Sequence, residues 1–258
     1  MPKIQYASDL HLEYPKNREF LEQNPIQPVG DILILAGDIV TNTGRHKIQH
    51  LYDQWQQQFK YIISIPGNHE FYGSDVAESY PTLYEKLAPN HYLLNNATIE
   101  LEGVRFIASI LWTHGPEDQM QKLEKKSNDY RLIKYGEGGG AAVKLRAADV
   151  SAMHTQSVHF LSHELAKPFP GKTVVITHHL PSYNLMGFGA YMGILKYYCA
   201  SNLNRLLKAH PADYWVFGHL HYSIGKTMFG TRFLSNPLGY MTESQYHDFS
   251  AQAYFELH

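Results

Sequence analysis

The chain has 258 residues, 44% of them hydrophobic, which is enough apolar material for one α/β core and makes a single domain over residues 1–258 the expectation. Its 22 Lys and Arg nearly cancel 24 Asp and Glu, leaving a net charge of −2, which argues against the broad basic field of a nucleic-acid binder. The lone Cys199 excludes an internal disulfide framework, the first residues read as a strand rather than a signal peptide, and no apolar run approaches the roughly 20 residues of a membrane span; a reducing, cytoplasmic location is expected.

In chain order, Lys3 to Ser8 reads as a short strand that runs into Asp9-Leu10-His11. Side chains alternate along an extended segment, so Asp9 and His11 share a side and can grip one ion. After a loop with Asn24, Pro25 and Pro28, Asp31 to Val40 carries five consecutive apolar residues and then Gly37-Asp38. Such a run reads as a strand buried on both faces, and a carboxylate where it stops belongs to a sheet edge where ligands gather. His46 to Lys60 carries Ile48, Leu51, Trp55 and Phe59 at helical spacing. Tyr61 to Ile65 is a third buried strand, delivering Pro66-Gly67-Asn68-His69-Glu70, and a helix interrupted around Pro81 is expected near Asp75 to Leu87.

Val104 to Leu111 reads as a strand leading to Trp112, Thr113 and His114. Residues 115–140 are polar and glycine-rich, include Ser127-Asn128-Asp129-Tyr130-Arg131 and Gly138-Gly139-Gly140, and read as a loop insertion beside the site, without the ending of a phosphate loop. A long helix is expected from Ala141 to Ala166, with His154, His159 and His163 as surface or packed residues, because the Glu of a HExxH pattern is absent. Thr173 to Thr177 is a strand ending in His178 and His179, and Tyr214 to Phe217 one ending in Gly218-His219-Leu220-His221. Between them, Tyr183 to Tyr198 is rich in Gly, Met and Tyr, and Ile194 to His210 is expected to be helical. The final strands, near Thr231 to Leu234 and Ala251 to Phe255, bracket Asn236-Pro237-Leu238-Gly239-Tyr240.

Five strand ends thus present Asp9 and His11, Asp38, Asn68 and His69, His178, and His219 and His221. In order and spacing these resemble the calcineurin-like metallophosphoesterase superfamily, whose pattern is D-x-H, G-D, G-N-H-E/D, H and G-H-x-H. The resemblance implies an α/β fold in which a two-sheet sandwich is flanked by helices. It further implies Asp9, His11 and His221 on one metal ion, Asn68, His178 and His219 on a second, and Asp38 bridging them. Mixed imidazole, carboxylate and amide donors suit Mn, Fe, Zn or Co rather than Mg or Ca. Two such ions about 3.5 to 4 Å apart acidify a bridging water, whose hydroxide attacks phosphorus in line. In the family the histidine at the position of His69 faces the leaving group, which implies a general acid or charge stabiliser.

His178 is taken as the ligand because it follows the strand directly, leaving His179 beside it as a supporting residue. His179, Arg131, Tyr130 and His114 are candidate substrate contacts, Arg131 because a guanidinium matches phosphate geometry. Where the family's protein phosphatases continue Gly-Asp with Val-Asp-Arg-Gly, this chain reads Ile39-Val40-Thr41-Asn42-Thr43-Gly44, against a protein substrate. Ser8 to Glu13, Leu111-Trp112-Thr113 and Asn236-Pro237-x-Gly239-Tyr240 look most like the small bacterial metallophosphoesterases. A small-molecule phosphodiester is favoured as substrate, with a phosphomonoester or a nucleotide or lipid pyrophosphate as the alternative and a non-catalytic scaffold as the remaining reading. No nucleic-acid or membrane partner is expected.

Overall fold

The structure, a computed structural model, describes residues 2–136, 143–187, 193–242 and 248–257. Its strands are β1 (Lys3–Ala7), β2 (Ile32–Ala36), β3 (Tyr61–Ile65), β4 (Leu83–Ala88), β5 (His91–Asn95), β6 (Ala97–Leu101), β7 (Val104–Ser109), β8 (Lys134–Tyr135), β9 (Val143–Lys144), β10 (Lys172–Thr177), β11 (Tyr214–Val216), β12 (Ile224–Met228), β13 (Thr231–Ser235) and β14 (Tyr254–Glu256). The helices are α1 (Pro15–Gln23), α2 (Gln49–Gln58), α3 (Glu117–Lys126), α4 (Asp129–Leu132), α5 (Ala147–Ala166), α6 (Lys196–Cys199) and α7 (Asn204–Ala209).

Two six-stranded sheets, in orders β14-β1-β2-β3-β5-β4 and β12-β13-β11-β10-β7-β6, face each other. In each, a central parallel set is closed by antiparallel edge strands. The alternation of strand side chains explains the layers. Ile32 and Ile34 of β2 point inward and pack with Phe106, Val174 and Ile176 of the opposite sheet. Leu33 and Leu35 point outward onto Leu51 and Trp55 of α2 and Leu21 of α1. On the far side, Val175, Trp215 and Phe233 meet Leu161 and Leu165 of α5 and Leu207 of α7. This is the expected sandwich flanked by helices, and it brings the carboxyl ends of β1, β2, β3, β10 and β11 to one edge. There Ser8 bridges to Pro237, joining the chain segments that leave the two sheets.

Four local expectations are corrected. Residues 83–88 form the edge strand β4 instead of a helix: only a 3-10 turn, Val76–Ser79, precedes Pro81, after which the backbone pairs with β5. Residues 115–136 are not a loop but hold α3 and α4; Gly138-Gly139-Gly140 lie outside the described residues. α5 starts at Ala147, where the Arg146 N–H donates to Asp149 at 2.8 Å, while Val143 and Lys144 pair with β8. The helix expected over 194–210 is broken into α6 and α7, because Leu180 pairs in parallel with Ala200 and exchanges backbone hydrogen bonds with Cys199 and Ser201. Among the described residues no helix is long and apolar enough to cross a membrane.

Candidate metal centre

The strand ends turn abruptly at their polar residues. Asp9, His11, Asp38 and His219 all adopt positive φ, at 51°, 47°, 56° and 68°. Each such residue costs on the order of 1–3 kcal/mol unless its surroundings enforce it, and strain of this kind gathers at functional sites. Backbone bonds enforce it here: Asp9 N–H donates to Gly37 O and His11 N–H to Asp38 O, both at 2.9 Å. Gly67 is required because a Cβ there would collide with Asp38 Oδ1 and sit 2.7 Å from His178 Cε1. Glu70 binds the loops together from beneath, accepting N–H bonds from Gly67 (2.7 Å), Ile39 (2.8 Å) and Asp38 (2.9 Å). Burial and the nearby Asp38 push its carboxyl up to about 7 against those bonds.

Among the described residues three overlapping groups of donor atoms result: Asp9, His11 and His221; His11, Asp38 and His69; and Asp38, His178 and His219, each within 4.8 Å. In the first, His11 Nε2 and His221 Nε2 are 3.1 Å apart, and His221 Nε2 is 3.7 Å from Asp9 Oδ1. In the last, His178 Nε2, His219 Nδ1 and Asn68 Oδ1 form a triangle with sides of 3.1, 3.2 and 3.3 Å. Asp38 Oδ2 lies between the two, 3.8 Å from His11 Nε2 and 3.4 Å from His178 Nε2, while Asp38 Oδ1 accepts the His69 N–H at 2.8 Å.

The hydrogen-bond partners fix which atoms face inward. His178 Nδ1 is 3.0 Å from Ala36 O, an acceptor, so Nδ1 carries a proton and Nε2 is aimed at the triangle. Asn68 donates Nδ2–H to Asp129 Oδ1 at 3.0 Å, which turns its carbonyl oxygen inward. Lone pairs thus converge where only a cation or an added proton can satisfy them. Electrostatics tell the same story. Burial disfavours a charged His178, yet Asp38 and Asp9 outweigh it and push its pKa up to about 10. Burial alone would raise Asp38, but the imidazoles of His178 and His69 hold it well below the usual carboxylate range. Burial wins at Asp9, which is raised, and at His219, which is pushed well down with help from His179 and His178.

His69 stands beside this cluster. Its Nδ1 is 2.8 Å from Glu13 Oε1, its Nε2 is 3.1 Å from the Tyr240 hydroxyl, and its ring stacks on Tyr72 at 4.1 Å. Burial opposes its charge, but Asp38 and Glu13 raise it to about 9. Glu13 Oε1 also meets His11 Nδ1 at 3.2 Å, so one carboxylate oxygen orients both rings. A cavity of about 290 Å³ opens next to His69, walled by Tyr14, Tyr72, Tyr198 and Tyr240 with Lys126 at its rim.

The remaining expected residues lie differently. His179 is buried against Trp112 and His219, and burial together with His178 pushes its pKa down to about 3. Tyr130 packs among Met120, Leu123 and Val150. Arg131 bonds Asn128 Oδ1 at 2.6 Å and lines a separate recess with Lys144 and Arg146. His114 stacks on His154 and contacts Ser151 Oγ at 3.2 Å. Glu13, Asp129, Tyr72, Tyr198 and Tyr240 enter the site without having been assigned to it, and Glu70, read as the last residue of the Gly67-Asn68-His69-Glu70 motif, had been given no role. Glu13 and Glu70 had a signal, sitting two residues after His11 and one after His69.

Comparison with known proteins bears on the family and the fold. The description "Calcineurin-like phosphoesterase" matches residues 2–223. An uncharacterized protein of Acanthamoeba polyphaga mimivirus is 27% identical over 278 residues, covering 98% of this chain and 96% of its own. Among solved structures, phosphopantetheinyl hydrolase from Mycobacterium tuberculosis superposes with a TM-score of 0.64 at 16% identity, over 92% of this chain and 89% of that one. A dimetal phosphatase from Danio rerio gives a TM-score of 0.44 at 13% identity, over 90% and 86%. With that match running over most of its length and its sandwich shared with a hydrolase of known structure, the chain belongs to the calcineurin-like phosphoesterase family.

Proposed function

We propose that this protein is a single-domain phosphoester hydrolase that works through two divalent transition-metal ions, with a small-molecule phosphodiester as substrate. The observation that carries the reading is the triangle of His178 Nε2, His219 Nδ1 and Asn68 Oδ1, with Asp38 Oδ2 between it and the His11–His221 pair. Nitrogen and oxygen donors in this mixture fit Mn, Fe, Zn or Co. In the proposal Asp9, His11 and His221 hold one ion, Asn68, His178 and His219 the other, and Asp38 both. When bound, such a pair supplies Lewis-acid charge for the phosphoryl oxygens and an acidified water as nucleophile.

The protein's own side chains do the rest. Glu13 and Tyr240 fix the His69 ring from both nitrogens, and a proton held on His69 is available to the departing oxygen. The tyrosine-walled cavity beside His69 leaves room for the organic part of the departing alcohol, and a diester is the form of substrate proposed. A reducing, cytoplasmic setting belongs to the proposal, since a chain with one cysteine, Cys199, has no internal disulfide to maintain. The test is hydrolysis of a chromogenic phosphodiester and phosphomonoester by metal-stripped protein reloaded with Mn, Fe, Zn or Co. Diester turnover supports the reading, monoester preference moves it to a phosphatase, and silence with two ions bound removes it.

A further inference from the structure

We infer that Asp129 is the positioning residue for Asn68, and that it sets the affinity of the metal position formed by Asn68, His178 and His219; this rests on the dinuclear reading above. A primary amide binds a metal through its carbonyl oxygen, and the flipped orientation would present the NH2 group, which is no ligand; nothing in Asn68 itself decides between the two. The decision comes from Asp129 Oδ1, which accepts Asn68 Nδ2–H at 3.0 Å and so turns the amide oxygen toward His178 and His219. An ionised carboxylate only accepts hydrogen bonds, so the opposite orientation of the amide would set oxygen against oxygen.

Asp129 is itself held without slack. It is 2% exposed, opens α4, and donates its own backbone N–H to Ser127 Oγ at 3.1 Å. The Tyr72 and Tyr198 hydroxyls donate to the same Oδ1 at 2.8 and 3.3 Å. Tyr72 follows the β3 loop and Tyr198 lies on α6, so one oxygen ties together three segments distant in sequence. The Tyr198 ring stands edge-on to His219 at 4.8 Å, so the same network also braces a second ligand of this position.

The charge is as telling as the geometry. Among the described residues no Lys or Arg forms an ion pair with Asp129, although burying a carboxylate without a countercharge is unfavourable. Among the described residues its side-chain hydrogen-bond partners are neutral donors; the His69 imidazole acts on it through space, and the metal position on the far side of the Asn68 amide is a further place for positive charge. An amide that donates to a carboxylate has a more electron-rich oxygen, hence a better ligand. Hydrogen-bonded partners behind metal ligands are worth about 10- to 100-fold in metal affinity.

The test is titration of metal-free protein with Mn²⁺, followed by calorimetry and by electron paramagnetic resonance of the free ion, on the wild type, Asp129→Asn and Asp129→Ala, with the Tm of each metal-free variant. Asp129→Asn keeps an acceptor oxygen for Asn68 but loses the charge; Asp129→Ala loses both. The inference expects two Mn²⁺ per wild-type chain, and one of the two weakened about 10- to 100-fold in Asp129→Ala. Partial recovery in Asp129→Asn, with the other ion unchanged, completes the expected pattern. Two ions bound with wild-type affinity in Asp129→Ala, or both weakened equally alongside a fallen Tm, would overturn it. A wild type that binds no pair of Mn²⁺ would instead remove the dinuclear reading, and this inference with it.

Discussion

His11 Nε2 and His221 Nε2 face each other at 3.1 Å across a chain separation of 210 residues, closer than two bare ring nitrogens tolerate without a cation or proton between them. Both residues leave strand ends of different sheets, so the contact is a product of the whole sandwich. A metal held there must stabilise the fold. At about 100 times the dissociation constant, each bound ion adds about 2.7 kcal/mol. Differential scanning calorimetry should show Tm rising with added Mn²⁺ and falling with chelator, and His221→Ala should show a smaller rise.

His69→Ala should leave metal binding intact and slow turnover by roughly 100-fold or more, most for esters with poor leaving groups. The check is kcat against leaving-group pKa for a series of aryl phosphodiesters. A steeper dependence in the variant supports a proton delivered by His69; equal losses across the series speak against it.

Glu70 joins two ligand loops through backbone N–H groups of Asp38, Ile39 and Gly67. Glu70→Ala leaves buried donors unsatisfied at about 1–3 kcal/mol each, so urea unfolding should show a loss of at least about 3 kcal/mol. Glu70→Gln keeps acceptor capacity on one oxygen and should lose less.

His91, remote from the metal centre, sits 2.7 Å from Ser64 Oγ, and burial, helped by Arg45, pushes its pKa down to about 4. An unfolded chain protonates this group near pH 6.5 and the folded one does not. The unfolded state therefore binds more protons between pH 6.5 and 4, and stability falls as pH falls through that window, by at most about 1.4 kcal/mol per unit from this residue. His91→Gln should flatten that slope in urea denaturation across pH 7 to 4, even where its overall stability is lower.

The sandwich was legible where burial is total. The apolar runs of β2, β3 and β10 have no partner but a two-sided core, and a polar residue at the end of each has no place inside one. What could not be read was set by tertiary pairing. Leu83 to Ala88 is half exposed and takes its strand form only from the backbone of β5. Asp129 reaches Asn68 across 61 residues, and Tyr240 reaches His69 across 171, distances over which no spacing rule operates. Leu180, pairing with Ala200, likewise breaks a helical pattern that is continuous on paper.

The most direct measurement is hydrolysis of bis(p-nitrophenyl) phosphate by chelator-stripped protein reloaded with Mn²⁺, with bound metal counted in the same samples of wild type and Asp38→Asn. Two ions and diester turnover in the wild type, with the second ion and at least about 100-fold of the turnover lost in Asp38→Asn, is the expected result. A variant that keeps both ions and full turnover would contradict an Asp38 carboxylate shared by two metals.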